Sequence, residues 1–475
     1  MEDAIVMYPT PAIGHLISMV ELGKLLYHHH PSLSIHILIT APPHATGSTE
    51  PYIRHVSATI PAIAFHHLPP VSLPPSLESL HHETLTFHLL HLNNPNVHQS
   101  LLSISHNHKI KALIVDFFCY PAFSVAEDLK IPPFIYFTSG ACSLASFLYF
   151  PVLHRNTTKS FKDLEIDIDV PILPPIPAKD MPTPLLDRND EAYEFFLDAS
   201  IQCTKSAGII VNTFETLETR AIEAIREGLY VPDKPTPLIC CIGPLIAGGE
   251  RDGSNSKSHD CLAWLDSQPR RSVIFLCFGS LGLFSAEQLK EIAFGLERSE
   301  QRFLWVVRSP PATEEQRRRF SAPPEPDLDE LLPKGFLERT KGRGLVVKSW
   351  APQMEVLSHG SVTGFVTHCG WNSVLEAVCS GIPMVAWPLY AEQRFNRVVM
   401  VQEMKIALPV EESDSSGFVS AAEVEKRVRQ LIDSVEGDLV RQQVLAMKAA
   451  AAAAMCDSGS SRAALSKLVE SWCRK

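Results

Sequence analysis

Between Trp350 and Gln393 the chain reads WAPQMEVLSHGSVTGFVTHCGWNSVLEAVCSGIPMVAWPLYAEQ. Phe365-Val366-Thr367 reads as a short strand, His368-Cys369-Gly370 as a turn, and Asn372 onward as a helix. In an open α/β sheet, ligands bind at the carboxyl ends of strands, where the next helix offers unpaired N–H groups and a positive dipole end. Gly370 lets the backbone approach a phosphate closely. Asn372, Ser373 and His368 add donors, and Glu376, nearly one helical turn after Ser373, can accept from two ribose hydroxyls. Trp350 is a ring on which a base can stack. Any one of these residues fits an ordinary βα unit with a polar cap. Together, with Trp350 and Gln353 ahead and Glu392-Gln393 behind, they suit a nucleoside diphosphate.

A second set could move a proton. Of twenty histidines, most are poor candidates for a general base. His28, His29 and His30 form a polar run before Pro31. His81, His82, His88 and His91 lie on helical faces, and the i, i+3 pair His88 and His91 has no evident carboxylate to complete a metal site. His15 differs. It follows the apolar run Ala4 to Tyr8 and opens a helix, where the helix N-terminus favours the neutral ring that a base requires. Asp116 ends the apolar run Ala112 to Val115 and so reaches the same edge. A carboxylate on one ring nitrogen fixes the tautomer and stabilises the imidazolium formed in a reaction.

The elements that must position these groups are short buried runs alternating with helical stretches. Ala4 to Tyr8, Ile35 to Thr40, Ile63 to His67, Ala112 to Val115, Phe134 to Phe137 and Gly208 to Val211 form a first series. Val273 to Phe278, Phe303 to Val307, Leu345 to Lys348, Phe365 to Thr367 and Met384 to Trp387 form a second. Strands separated by helix-length segments need crossovers and give parallel sheets, so two doubly wound α/β domains are predicted. The expected division is residues 1–245, a linker over 246–260 rich in Gly, Ser and charge, and residues 261–459. Ser309 to Pro333 reads as a long surface loop of the second domain. The alanine run Lys448 to Met455 reads as helix, broken at residues 457–461 before a final helix from Arg462 to Trp472.

Composition excludes several classes. A length of 475 residues exceeds one ordinary core. A net charge of -11 argues against non-specific nucleic-acid binding and against an anionic membrane surface. No run of about eighteen apolar residues appears, so no membrane span is expected. The acidic start MEDAIVMYPTPAIGH has no basic region of the kind that opens a signal peptide. Eleven cysteines without a CxxC pair fit reduced thiols in a cytoplasmic protein. The sequon Asn156-Thr157-Thr158 is accordingly read as unused.

The segment from Trp350 to Gln393 resembles the signature box of plant UDP-sugar-dependent glycosyltransferases, with the spacing between its first tryptophan and last glutamine reproduced without gap. The resemblance extends along the chain through PAIGHLISMVELGKLL, IYFTSGA, IIVNTFETLE and LCFGS. It implies the GT-B fold, two facing Rossmann-like doubly wound domains with the active site in the interdomain cleft, and a last helix (460–475) that rejoins the first domain. It implies that Trp350 stacks on uracil with the Ala351 backbone reading the base edge, and that Gln353 and Glu376 hold ribose. His368, Gly370, Asn372, Ser373 and Ser280 would surround the diphosphate, while Trp371, Glu392, Gln393 and, from the first domain, Thr138 would contact the sugar. An arginine at the Trp371 position goes with glucuronate donors and a histidine at the Gln393 position with galactose. This chain has neither, so UDP-glucose is the expected donor, with no metal.

The implied reaction is a single inverting displacement with His15 as base and Asp116 as its partner. Phe87, Phe117, Phe118 and Tyr390 are the expected walls of an apolar acceptor site, with a place in the core the equal alternative for each. They suit a flat phenol such as a flavonoid or chalcone, the acceptors of the branch this chain resembles most, and a monomer is the default. C-glucosylation of an ionised polyphenol by the same dyad is an alternative. An inactive sugar-nucleotide-binding protein is a remoter one, opposed by the intact His15 and Asp116. A nicotinamide-dependent oxidoreductase is disfavoured because no GxGxxG follows Ala4 to Tyr8.

Overall fold

In both large sheets the central strands are apolar on both faces, because helices cover both sides. The computed structural model describes residues 1–42, 49–74, 77, 81–248, 256–313, 316, 323–413 and 417–473. It divides into two compact units, Met1–Ala247 with Ala451–Lys475, and Gly248–Ala450. Residues 249–255 of the expected linker lie outside the described residues, as do 314–315 and 317–322 of the expected loop. The return to the first unit begins at Ala451, inside the helix Val435–Met455, rather than at Ser460.

The first unit holds β1 (Glu2–Tyr8), β2 (Ser34–Ile39), β3 (Ile63–His67), β4 (His108–Asp116), β5 (Pro133–Phe137), a ribbon of β6 (Asp167–Ile168) and β7 (Ile176–Pro177), β8 (Gly208–Val211) and β9 (Ile239–Cys241). Apart from the antiparallel ribbon, these strands form one parallel sheet in the order β3-β2-β1-β4-β5-β8-β9. The second unit holds β10 (Val273–Cys277), β11 (Arg302–Val307), β12 (Gly344–Lys348), β13 (Val362–Thr367), β14 (Met384–Ala386) and β15 (Ala407–Pro409), parallel in the order β12-β11-β10-β13-β14-β15. All eleven predicted runs lie on strands. The edge strands β9 and β15 were not predicted, since three residues beside proline carry no periodicity.

Each sheet reverses its direction of winding once, between β1 and β4 in the first and between β10 and β13 in the second. At such a switch point two successive βα loops diverge and leave a crevice at the strand ends. The pairings Tyr8↔Val115 and Cys277↔Thr367 bring those strand ends level.

The final helix, Ser460–Cys473, packs on the first sheet. Leu465, Leu468, Val469 and Trp472 are buried in the core that contains Ile5, Ile114 and Phe134, and the Trp472 and Phe134 rings meet edge to face at 5.8 Å. Glu218, in the IIVNTFETLE segment, is buried and acts as the cap of another helix. Its carboxylate accepts the N–H groups of Ala141 and Cys142, both at 2.8 Å, where Gly140 supplies no side chain, and also the Thr213 hydroxyl. The loop between β5 and that helix carries Thr138, so this cap steadies one edge of the first unit's strand ends.

Three imidazoles cluster, His36 and His66 on the neighbouring strands β2 and β3 and His108 at the start of β4. His36 Nδ1 and His66 Nε2 lie 2.9 Å apart, His36 Nε2 meets the Ser34 hydroxyl at 2.9 Å, and the His108 ring is 4.7 Å from that of His36. Burial foremost, then the two neighbouring rings, lowers the His36 pKa from 6.5 to about 4. The folded state therefore disfavours its protonation. Its contribution is complete above the unfolded value and is lost as pH falls from there toward the folded one. Denaturant midpoints measured from pH 7.5 to 4 are expected to fall less steeply for His36→Gln than for the parent, a difference of about 1–3 kcal/mol at the acid end. Parallel curves would show that the cluster contributes nothing to acid sensitivity.

Candidate active site

Asp116 is the last residue of β4 and is fully buried, while the side chain of His15, third in the helix Ile13–His29, keeps 30% of its surface. His15 Nδ1 and Asp116 Oδ2 are 2.7 Å apart. The other carboxylate oxygen accepts from the Thr10 hydroxyl at 2.8 Å and from the Phe118 N–H at 3.2 Å. Asp116 is thus held from three directions and keeps Oδ2 for the ring. Because a carboxylate accepts, Nδ1 carries the proton and Nε2 is the basic nitrogen. Thr138 Oγ1 also lies beside this ring, 3.3 Å from Nδ1. The sequence pointed to His15, Asp116 and Thr138 but not to Thr10, whose role depends on a bond to a residue 106 positions away.

Phe118 presents its ring edge-on to His15, with centroids 5.7 Å apart, and is half-buried. The other two expected walls of the first unit are placed differently. Phe87 has no accessible surface and Phe117 almost none. They pack with Phe195, Phe196, Tyr120 and Phe147, rings contributed largely by the helices Glu191–Cys203 and Ala141–Asn156. This corrects the expectation: Phe87 and Phe117 form the core behind Phe118, because a ring closed in by other rings has no face for a ligand. His88, read as lacking a carboxylate, has Glu191 Oε1 at 3.0 Å. Among the described residues no group of three or more His, Cys, Asp or Glu is placed to hold a metal ion.

In the second unit β13 ends at Thr367, the turn passes Cys369 at φ 65°, and the helix Trp371–Ser380 begins with Gly370 as its cap residue. His368 is buried, and its ring lies against two glycines. A Cβ on Gly279, which itself has φ +73°, or on Gly370 would come within 2.4 Å of Nε2. Burial, and secondarily the charge of Arg308, lowers the His368 pKa to about 4, so the ring is a neutral N–H donor. Its Nδ1 has no hydrogen-bond partner among the described residues.

Ser280 is exposed just beyond the β10 end. Trp350 is 38% exposed after the left-handed Ser349, an open indole face at the end of β12, while Ala351 is buried. Gln353 Nε2 donates to Ser373 Oγ at 2.8 Å and to Glu376 Oε2, which brings the three together across the gap between their helices. The Trp371 indole is buried, so what it offers a ligand is backbone at the first helical position. Asn372, Glu392 and Tyr390 are partly accessible, and the Tyr390 ring lies 6.1 Å from that of His368.

Gln393 is buried, and its Oε1 accepts from the N–H groups of Leu389 at 2.9 Å and Tyr390 at 3.0 Å. With both lone pairs engaged, its amide can offer a ligand only the NH₂ group. Asn396, not singled out in the sequence, donates from Nδ2 to the Cys369 carbonyl at 3.0 Å and to Glu392 Oε1 at 3.4 Å. It ties the turn after β13 to the loop after β14.

Residues 202–433 match the profile of the UDP-glucoronosyl and UDP-glucosyl transferase family. The chain is 52% identical over 486 residues to an anthocyanidin 5,3-O-glucosyltransferase from a Rosa hybrid cultivar, covering 100% of this chain and 99% of that one. It belongs to this family. UDP-glycosyltransferase 88B1 of Stevia rebaudiana is 51% identical over 471 residues, covering 99% of each chain. The solved structure of Phytolacca americana UGT2 complexed with UDP-2fluoro-glucose and pterostilbene superposes with a TM-score of 0.88 at 37% identity, covering 99% of this chain and 100% of that one. The protein is therefore a UDP-glycosyltransferase with the GT-B fold implied by the sequence. Among the described residues no helix is long and apolar enough to cross a membrane.

Gly370 has φ −64°, so its backbone accepts alanine without strain, and the obstacle is His368. Gly370→Ala is expected to weaken UDP binding by about tenfold or more, by calorimetry, with an unchanged circular dichroism spectrum. Parent-like affinity would mean that the His368 ring is not part of the nucleotide site.

Proposed function

We propose that this UDP-glycosyltransferase moves glucose from UDP-glucose to a hydroxyl of a flavonoid or related phenol, with inversion. The observation that carries the mechanism is the 2.7 Å pair of His15 Nδ1 and Asp116 Oδ2, with Asp116 otherwise saturated by Thr10 and Phe118. A phenol has a pKa near 10, as tyrosine does, so it is a poor nucleophile until its proton begins to leave. His15 Nε2 takes that proton while the phenolic oxygen attacks the anomeric carbon. The new C–O bond forms on the face opposite the diphosphate, and the bond to UDP breaks with its electron pair leaving on phosphate oxygen. The α-linked donor gives a β-glucoside. Asp116 stabilises the imidazolium, and the proton passes to solvent when product leaves.

In the second unit Trp350 stacks on uracil, with the Ala351 backbone at the base edge. Gln353 and Glu376 hold ribose, which then replaces the bond between them. Ser280, His368, Gly370, Asn372 and Ser373 surround the diphosphate at the start of the helix Trp371–Ser380. Trp371, Glu392, Gln393 and, from the first unit, Thr138 contact the sugar. Phe118 and Tyr390, both partly accessible, bear on the acceptor. The Rosa relative, named for O-glucosylation of an anthocyanidin, and the Phytolacca structure, titled with UDP-2fluoro-glucose and the phenol pterostilbene, support O-transfer to phenols. Ten of the eleven cysteines, Cys119 through Cys456, form no disulfide, which fits a cytoplasmic enzyme.

Mass spectrometry of reactions with UDP-glucose and a panel of flavonoids, dihydrochalcones and simple phenols tests the reading. Products that lose a whole hexose on fragmentation are expected, whereas cross-ring losses with the hexose retained would show C-glucosylation. His15→Ala is expected to keep UDP affinity and lose at least about a hundredfold in turnover, while Trp350→Ala loses UDP affinity itself. Full turnover by His15→Ala would overturn the mechanism.

A further inference from the structure

Arg308 follows β11 directly and places a charge at the end of an apolar strand. Its strand lies between β10 and β12 in the sheet, so the guanidinium emerges between the loops that carry Ser280 and Trp350. It is fastened to both. Nε donates to the Ser349 carbonyl at 3.1 Å, and Nη1 donates to the Ser280 carbonyl. The carbonyl of Ser349 belongs to the residue just before Trp350, and that of Ser280 to a residue already assigned to the diphosphate.

Those two bonds fix the position of a full positive charge without neutralising it. Among the described residues no carboxylate pairs with Arg308, and its partners are backbone dipoles. The side chain is half-buried, and burial is the main influence holding its pKa below the usual arginine range, although a guanidinium stays charged at any working pH. A desolvated cation without an anion is costly unless an anion arrives to complete it. The field of Arg308 also reaches His368 and Tyr390. His368 is neutral, and the helix end brings only a partial charge. Among the described residues, Arg308 is the full positive charge whose partners and field include Ser280 and His368.

We propose that Arg308 supplies the counter-charge for the diphosphate of the nucleotide, held in place by the carbonyls of Ser280 and Ser349. The inference rests on the donor-site reading above and adds to it a residue outside the segment Trp350 to Gln393. When the bond from the anomeric carbon to the diphosphate breaks, the departing UDP gains one negative charge. A fixed guanidinium stabilises that charge as it develops. The same residue then affects both nucleotide affinity and departure of the leaving group.

Calorimetric titration of the full chain with UDP and with uridine separates charge from loop positioning. Arg308→Gln is expected to weaken UDP by about tenfold or more and uridine by no more than about threefold, and to flatten the salt dependence of UDP binding. Arg308→Lys keeps the charge and is expected to stay within about threefold of the parent for UDP. Equal losses for UDP and uridine would show that Arg308 only holds the two loops. A loss for the Lys variant as large as that for the Gln variant would likewise overturn the counter-charge role, as would parent-like UDP binding by Arg308→Gln. The Lys variant and the salt dependence of the parent still decide the matter if the Gln variant does not fold. Failure of the parent itself to bind UDP is a separate result, one that would remove the donor-site reading and this inference with it.

Discussion

The constraint on which this structure depends is that all strands of a parallel sheet end at the same edge. Every crossover must return over a face, so the edge at the carboxyl ends is where loops gather and where helix N-termini point. Where the winding reverses, between β1 and β4 and again between β10 and β13, neighbouring loops part. His15 and Asp116 come from the first of these places, more than a hundred residues apart in sequence and one hydrogen bond apart in space. Ser280 and His368 come from the second. The chemistry is thus assembled from residues whose main common property is their position at a strand end.

The two histidines at these edges are kept in different conditions, which suit the different tasks proposed for them. His15 retains surface and has a buried carboxylate behind it, which suits a group that must take and release a proton. His368 is enclosed by two glycines and lies near a cation, which suits a group that must remain a neutral donor. The positive charge proposed for the second site is that of Arg308, which does not vary over the working pH range.

The sheets, their alternation with helices and the strand-end residues could be read from the sequence because apolar runs of four to six residues mark buried parallel strands. The places of His15 and Asp116 at strand ends could be read because each follows such a run, whereas Gln353 and Glu376 were marked chiefly by the resemblance of their segment. What could not be read depends on contacts between distant segments. Thr10 matters through Asp116, Asn396 through the Cys369 carbonyl, and Arg308 through two backbone carbonyls, and none of these bonds leaves a pattern in the chain. Phe87 and Phe117 were misplaced for a related reason, since the residue type that lines an aromatic site also fills a core. Glu218 stood within a recognisable segment, but its cap on a helix about seventy-seven positions earlier was visible only in three dimensions.

If Gln393 contacts the sugar as proposed, its amide bears on how sugar preference can change over evolutionary time. Its oxygen accepts from the loop backbone at Leu389 and Tyr390. A substitution of Gln393 that altered the proposed sugar contact would also withdraw an acceptor from the N–H groups of Leu389 and Tyr390. Histidine, with at most one acceptor nitrogen, cannot replace that oxygen fully. A drift in donor preference at this position therefore has to pass through a repacking of the loop. Neighbouring residues would have to change together with it, so single replacements there are poor predictors of what a lineage can reach.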